Sequence, residues 1–360
     1  MFFRSLIRTF AKDFGITGNI AVVRRIENYD LSANNTFGLK ARCACFLEYN
    51  AVSDLEELDL GTLPPPLFHV GEGSNLLFKG DFPGTILHSA IRHMNFRECS
   101  ADEVEARVGA GVIFDDFVAE VCRRGFWGAE NLSLIPGQVG ASAVQNIGAY
   151  GVEVKDLISE VTAYDLVERC EVTFRKEECH YAYRYSRFKV APDKGQYIVT
   201  SVLFKLRRSA VPDLTYKGVK EALEGRNPQS PQEVRAAIIC IRKEKLPMPS
   251  EMGSAGSFFQ NPMVESSCLE RLKRASGEEH VPCYVLPDDM VKVPAAWLID
   301  RCALKGFQIG GAAVYEKQPL VIVNKTGHAT ASDVLAVETE VERRVKEKFG
   351  IELQREVEWV

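Results

Sequence analysis

No apolar run in these 360 residues is long enough to span a bilayer. The ten cysteines are scattered, with no CxxC pair and no Cys/His set at zinc-site spacing. The six histidines form no HExxH or other ligand pair, so no metal site is expected. A net charge of −5 leaves no global basic field, and no nucleic-acid-binding signature is present. Neither the GxGxxG fingerprint nor a Walker GK[ST] loop occurs. Internal repeats and low-complexity stretches are missing too. A signal-peptide h-region is lacking at the start, where MFFRSLIRTFAK is basic and amphipathic. A membrane-surface helix is conceivable there; an extension preceding the fold, residues 1–29, is the expectation. Unpaired cysteines in a chain of mixed composition fit a reducing cytoplasm.

What is present is an ordinary globular composition, with 46% hydrophobic and 26% charged residues. The length calls for two or three domains. Residues 67–70 and 85–91 read as strands, 158–174 as a hairpin turning near Val167–Arg169, and 196–206 as a strand. Phe114, Phe117, Val118, Val121 and Cys122 recur at helical spacing, and Gly125 stops that helix. Residues 207–230 read as a linker. Ser230-Pro231-Gln232-Glu233 reads as a capping box opening a helix that ends before Pro247. Further helices are expected near 294–305 and from Ser332 to Phe349, with a strand near 319–323. Residues 351–360 alternate like a half-buried strand.

The most informative stretch is NLSLIPGQVGASAVQNIGAYG, residues 131–151. Its core from Leu132 to Gly148 carries no charge, whereas surface loops usually do. Small residues at this density let backbone approach a ligand, and successive free N–H groups form anion-binding nests. Gly71-Glu72-Gly73-Ser74-Asn75, after a strand, offers similar groups to a pyrophosphate. Alone it would read as a plain turn; beside 131–151 a dinucleotide cradle is the better reading.

This segment, with NTFGLKA (35–41), VGEGSNLLF (70–78), YRYSRFK (183–189), LTYKGV (214–219), GSAGSFFQNP (253–262) and AAWLIDRCALKGFQIGGAAV (295–314), resembles the UDP-N-acetylenolpyruvoylglucosamine reductase family, also called UDP-N-acetylmuramate dehydrogenase. The motifs run in the family's order over residues 30–360. Ala143 stands where proline is frequent, and LQREV where LEPEV is frequent. The resemblance implies an α+β chain: a two-subdomain FAD-binding fold of the vanillyl-alcohol oxidase type plus a C-terminal α+β substrate-binding domain. The implied divisions are 30–92 and 93–245 for the two FAD subdomains, 246–350 for the substrate domain and 351–360 for a C-terminal strand.

The resemblance also assigns residues. FAD contacts fall on Gly71, Glu72, Gly73, Ser74 and Asn75, and on Ile135, Pro136, Gly137, Gly140, Ala141, Ser142, Gln145, Asn146, Gly148, Ala149 and Gly151, with Tyr183 by the flavin. Ser257 matches the proton donor. Arg184 suits a planar carboxylate, and Glu356 would stabilise an enol beside it. For the nucleotide sugar the candidates are Tyr216 on a lid-like loop, Lys217, Arg242, Lys245 and Asn261. Arg242 and Lys245 lie three apart in a last helical turn, where cations are tolerated anyway.

The implied activity is reduction of UDP-N-acetylglucosamine enolpyruvate by FAD, with NADPH as hydride donor, in peptidoglycan precursor synthesis. The implied partner is a UDP-sugar rather than nucleic acid or a membrane, acting on a monomer or weak dimer. Two rivals remain: an FAD-dependent alcohol oxidase of the same fold, and a non-catalytic flavin- or nucleotide-sugar-binding module.

Overall fold

The computed structural model describes residues 23–210 and 212–360. The amphipathic segment 1–12 lies outside the described residues. No helix among the described residues is long and apolar enough to cross a membrane.

The first sheet joins β1 (Arg24–Asp30), β2 (Arg42–Tyr49), β3 (Leu67–His69) and β5 (Phe82–Ser89) in the order β1-β2-β5-β3. The β1–β2 pair is antiparallel, while β5 runs parallel to both β2 and β3. Helix α1 (Val52–Glu56) carries the chain from β2 towards β3. Strand β4 (Leu76–Leu77) leaves this sheet to pair with the C-terminal tail.

The second sheet is antiparallel throughout. It contains β6 (Met94–Glu98), β7 (Glu103–Gly109), β10 (Ile158–Asp165), β11 (Cys170–Arg175) and β12 (Tyr197–Arg207), in the order β11-β10-β12-β7-β6. Val104, Ala106 and Val108 alternate inward from β7 and are fully buried. Helix α2 (Phe114–Arg123) covers this face with the residues its spacing picks out: Phe114, Phe117, Val118, Val121 and Cys122 are all buried. Phe117 stacks on Phe204 of β12 with ring centroids 4.5 Å apart. Helix α3 (Val139–Gln145) follows, then a small hairpin of β8 (Gly148–Ala149) and β9 (Val152–Glu153).

The stretch read as a linker holds a helix, α4 (Lys217–Ala222). Val219 and Leu223, four apart, are buried against Val234, Ala237, Ile238 and Ile241 of α5 (Pro231–Lys245). The capping box expected at Ser230 does not form. Its hydroxyl lies 3.4 Å from the Glu233 carboxylate instead of accepting from the Glu233 amide.

The third sheet orders β13 (Gly253–Ser257), β19 (Val321–Asn324), β18 (Ala312–Val314) and β17 (Gln308–Ile309). A small flap of β14 (Met263–Glu265), β16 (Met290–Lys292) and β15 (Tyr284–Val285) stands beside it, with α6 (Leu269–Ser276) and α7 (Ala295–Arg301). Helix α7 stops before residue 305, because Ala303 turns left-handed at φ 56°. Helix α8 (Ala331–Phe349) buries Val334, Val337, Val341, Val345 and Phe349. It is capped by Thr330 rather than Ser332. Thr330 Oγ1 accepts from the Asp333 amide at 3.2 Å, and the Asp333 carboxylate accepts from the Thr330 amide at 2.9 Å. Ile351, Leu353 and Val357 alternate inward as expected. Regular pairing in the tail is nevertheless confined to β20 (Glu358–Trp359), parallel to β4. An isolated bridge joins Phe259 to Arg355.

The N-terminal loop crosses into this third core. Phe37 and Leu39 are buried among its residues, and Asn324 Nδ2 donates to the Phe37 carbonyl at 3.3 Å.

Candidate active site

A cavity of about 550 Å³ is lined from all three sheets. It falls within the ~300–1,000 Å³ usual for ligand sites. Its polar wall comes from loop 71–75, which follows β3, and from Pro136 to Gly148 around α3. Phe114, Ile135, Val144, Phe188 and Val199 give it apolar surface.

The two loops are tied to each other and to the tail. Ser74 Oγ donates to the Pro136 carbonyl at 3.1 Å. Asn75 Nδ2 donates to the Glu356 carbonyl at 3.0 Å, and the Glu358 amide donates to the Asn75 carbonyl at 3.0 Å. No described residue accepts a hydrogen bond from the backbone N–H of Gly71, Glu72, Gly73, Ser74 or Asn75. Gln138 Oε1 and Gln145 Oε1, both on cavity-lining residues, are buried without a partner. Buried polar groups are nearly always satisfied, so the two glutamine oxygens, beside the unpaired loop amides, fit a polar guest. Unpaired amides for a pyrophosphate and an apolar wall for ring systems suit FAD.

Glycine has another use here than close ligand approach. A Cβ on Gly73, at φ +62°, would sit 2.0 Å from the Asn34 carbonyl oxygen. One on Gly140 would sit 2.8 Å from Ala110 Cβ. At both positions it is the protein's own chain that comes close.

Arg184, in a left-handed conformation at φ 53°, is gripped on three sides. Nη1 donates to the Asn146 carbonyl at 3.3 Å and Nη2 to the Gly148 carbonyl at 2.7 Å. Nε lies 2.8 Å from Glu356 Oε1, although its N–H does not point at that oxygen. A guanidinium has five N–H donors, so one on each terminal nitrogen stays available to a planar carboxylate. Burial pushes the Glu356 carboxyl above its usual range, opposed by the charges of Arg184 and Lys189 and by the Arg184 contact. Glu356 also donates its amide to the Phe258 carbonyl at 2.9 Å. That bond places the tail beside the residue following Ser257, which is exposed at the end of β13 and lines the cavity.

Thus Gly71, Glu72, Gly73, Ser74, Asn75, Ile135, Pro136, Gly137, Gly140, Ala141, Ser142, Gln145 and Gly148 line one cavity with Arg184, Ser257, Glu356 and Arg242. Asn146, Ala149, Gly151 and Tyr183 do not. Asn146 is fully buried: its Nδ2 donates to the Ala182 carbonyl and the Glu153 carboxylate, and its Oδ1 accepts from the Lys155 amide. Tyr183 lies under the Arg184 guanidinium, 5.2 Å from its ring centroid, and its hydroxyl accepts from the Asn261 amide at 3.4 Å. Asn261 in turn accepts from the Ala295 amide at 2.9 Å.

Arg242 and Lys245 part company. Arg242 turns inward, its Nε buried without a partner, and burial lowers its pKa. Lys245 is exposed and outside the cavity wall. Tyr216 packs edge-on against Tyr150 at 5.1 Å and is likewise outside the wall. Lys217 opens α4; its side chain lies outside the described residues.

The sequence reading passed over much of the cavity lining, including Lys194, Tyr197 and three further polar residues. Gln138 and Lys189 sit inside quoted motifs without having been singled out. His69 ends β3, where its Nε2 lies 2.7 Å from the Tyr49 hydroxyl. Burial, aided by His88, lowers its pKa to about 3, so it stays neutral. Away from the cavity, Cys99, Glu103 and Glu105 bring ligand atoms within 4.8 Å of one another at the surface. Glu105 is already paired with Arg97.

Residues 65–169 match a family model described as FAD binding domain. Residues 248–360 match one described as UDP-N-acetylenolpyruvoylglucosamine reductase, C-terminal domain. The UDP-N-acetylenolpyruvoylglucosamine reductase of Bacteroides fragilis is 46% identical over 335 residues, covering 93% of this chain and 99% of that protein. That of Porphyromonas gingivalis is 43% identical over 337 residues, covering 93% and 98%. The crystal structure of the Thermus caldophilus UDP-N-acetylenolpyruvylglucosamine reductase aligns at a TM-score of 0.63 and 25% identity, over 94% of this chain and 99% of that one.

Proposed function

The chain belongs to the UDP-N-acetylenolpyruvoylglucosamine reductase family, and on that premise we propose that it reduces UDP-N-acetylglucosamine enolpyruvate to UDP-N-acetylmuramate, a step of peptidoglycan precursor synthesis. FAD, held by loop 71–75 and the 135–148 wall, supplies hydride chemistry when bound, with NADPH as the external donor. The chain's own residues do the rest.

Arg184 receives the enolpyruvyl carboxylate on its two remaining N–H groups, a fit that a guanidinium makes well. Negative charge grows on that carboxylate as the double bond is reduced. Arg184 stabilises it there, and Glu356 holds Arg184 and the enol oxygen in place. Ser257 delivers the proton to the carbon bearing the carboxylate. A hydroxyl is a weak acid in water, so this role depends on the walls keeping water out. Arg242, a half-buried cation in the cavity wall, meets the diphosphate, and Tyr216 closes over it.

In this reading the first FAD subdomain runs to residue 92 and includes β1 (Arg24–Asp30), which pairs with β2, so the fold starts before the division expected at residue 30; residues 93–245 form the second FAD subdomain, and 246–350 with 351–360 the substrate-binding part. The ten free cysteines suit a cytoplasmic setting.

The observation that carries the proposal is the Arg184–Glu356 contact at 2.8 Å inside the cavity that Ser257 also lines. An anaerobic absorbance trace tests it. NADPH should bleach a flavin band, and the enolpyruvyl sugar nucleotide should restore it. Ser257→Ala should leave the bleaching intact and slow the restoration. A flavin that NADPH bleaches but the sugar nucleotide leaves bleached would discard the proposed substrate.

A further inference from the structure

Arg184 faces a local conflict. Its left-handed backbone is unfavourable for a residue with a Cβ, yet the guanidinium must point at Glu356 and the carbonyls of Asn146 and Gly148. The turn that carries it is closed by the Ala182 and Tyr185 amides, each donating to the other's carbonyl at 3.1 and 3.0 Å, which leaves the outward-facing Arg184 carbonyl to be fixed from elsewhere. The Arg184 carbonyl accepts a hydrogen bond of 3.0 Å from Nζ of Lys189, five residues along and also in the cavity wall.

The same ammonium faces Glu356 and Glu358. Glu358 is already engaged by Lys194 and Glu356 by Arg184, so Lys189 adds a further positive charge beside them. Burial drives the Lys189 ammonium down from its ordinary value, while those two carboxylates hold it up. A lysine drawn out of water is expected to be paired; this one is half-buried, with its hydrogen bond on the Arg184 carbonyl and its charge within the field of Glu356.

We propose that Lys189 is the positioning residue of this site: its ammonium fixes the Arg184 backbone through the carbonyl and supplies the second positive charge beside Glu356. The proposal rests on the reading of Arg184 and Glu356 given above, and deepens it.

The groups facing Glu356 are Arg184, Lys189 and the Tyr183 hydroxyl. Those facing Lys189 are Glu356, Glu358, Arg184 and Lys194. Removing the Lys189 charge takes away one of the two cations that favour ionised Glu356. The Glu356 midpoint must then rise.

The test uses the full chain loaded with FAD and two variants, Lys189→Met and Lys189→Arg. Glutamate carboxyl carbon-13 resonances are followed against pH, with Glu356→Gln identifying the Glu356 signal. In Lys189→Met the Glu356 midpoint should move to higher pH. Its kcat should fall on the order of 100-fold, the cost of a misplaced catalytic group, with KM for NADPH little changed. Lys189→Arg should return the midpoint to its original place and recover much of kcat. If Lys189→Met does not fold, Lys189→Gln provides the same comparison.

A Lys189→Met protein with wild-type midpoint and kcat would overturn the proposal. So would a Lys189→Arg protein whose midpoint stays where methionine puts it. Failure of the proposed function would look different: the wild-type protein would not turn over the enolpyruvyl sugar nucleotide, while the midpoint comparison would still decide the role of Lys189.

Discussion

Asp115 holds the cavity wall from behind, and replacing it by asparagine should loosen that wall measurably. Its Oδ1 accepts from the Leu134 amide at 2.5 Å and from Arg235 Nη1 at 2.6 Å, and its Oδ2 from Arg235 Nη2 at 2.9 Å. One carboxylate therefore joins α2 to α5 and pins Leu134, left-handed at φ 59°, just before Ile135 and Pro136 enter the cavity. Burial raises the Asp115 pKa, but the bonds from Arg235 and Leu134 and the charges of Arg235 and Arg242 outweigh it, so the net direction is down from 3.8. Asparagine keeps the shape and one acceptor, yet turns an NH2 towards the guanidinium. Breaking a fully buried pair costs about 3–5 kcal/mol. Arg235 and Asp115 here keep 16% and 23% side-chain exposure, so about 2–3 kcal/mol is expected after allowing for screening. Urea unfolding would report it as a lower midpoint with unchanged slope, and fluorescence titration as weaker FAD binding. The sign with pH is fixed. A folded-state pKa below 3.8 means the contribution is complete above that pH and is lost as pH falls through the folded value. The gap between wild type and Asp115→Asn should therefore close in acid. A loss under about 1 kcal/mol at pH 7, or a gap that widens in acid, would refute the reasoning.

Three other outcomes are expected. Gly73→Ala should unfold more readily and bind FAD poorly, since its Cβ would meet the Asn34 oxygen at 2.0 Å and its φ alone costs about 1–2 kcal/mol; a melting curve like the wild type's would count against this. With a thiol reagent at pH 8, exposed Cys99, Cys170 and Cys240 should react quickly. Cys43, pushed by burial to about 11, and Cys122 and Cys179, pushed to about 12, should resist until the chain is unfolded, as mass spectrometry of labelled peptides would show. Glu120 is lowered from 4.5 to about 2, chiefly by its hydrogen bond from Arg123. Its stabilisation is thus present above pH 4.5 and fades as pH falls through 2, so Glu120→Gln should cost about 0.5 kcal/mol at pH 7 and only a small part of that at pH 2 in paired urea titrations.

Legibility in the sequence followed how many residues carried each signal. Helices α2, α5 and α8 each bury four or more apolar positions at helical spacing, and all three are readable from pattern alone. Helix α4 and its C-cap bury Val219 and Leu223, too few to stand out among the prolines and glycines around them. The start of α8 was misplaced by two residues because both Thr330 and Ser332 can cap a helix, and only the Asp333 geometry distinguishes them. The tail shows a different limit. Alternation reports which way side chains face, not whether a partner strand exists, so Ile351 and Leu353 are buried without a ladder. Arg184 and Glu356 stand 172 positions apart in sequence, and no local pattern could join them; only the family resemblance pointed to both.

The charge-free segment deserves a different accounting from the one its glycines first invite. Its polar side chains divide by whether the protein already satisfies them. Asn146 has both ends of its amide engaged, bracing β9 and the turn that carries Arg184. Asn75, in the companion loop, binds the Glu356 backbone. Gln138 and Gln145 each retain a buried oxygen without a partner. Satisfied amides cannot be turned to a ligand without opening a bond worth about 1 kcal/mol and stranding its other member; unsatisfied ones can. Substituting Asn146 should therefore act on Arg184, whose Nη1 donates to the Asn146 carbonyl, and through it on the chemistry, whereas Gln138 and Gln145 should act on the affinity for whatever fills the cavity. Residues that look alike in one motif thus divide into those that shape the site and those that meet its occupant, and hydrogen-bond satisfaction is the physical property that separates them.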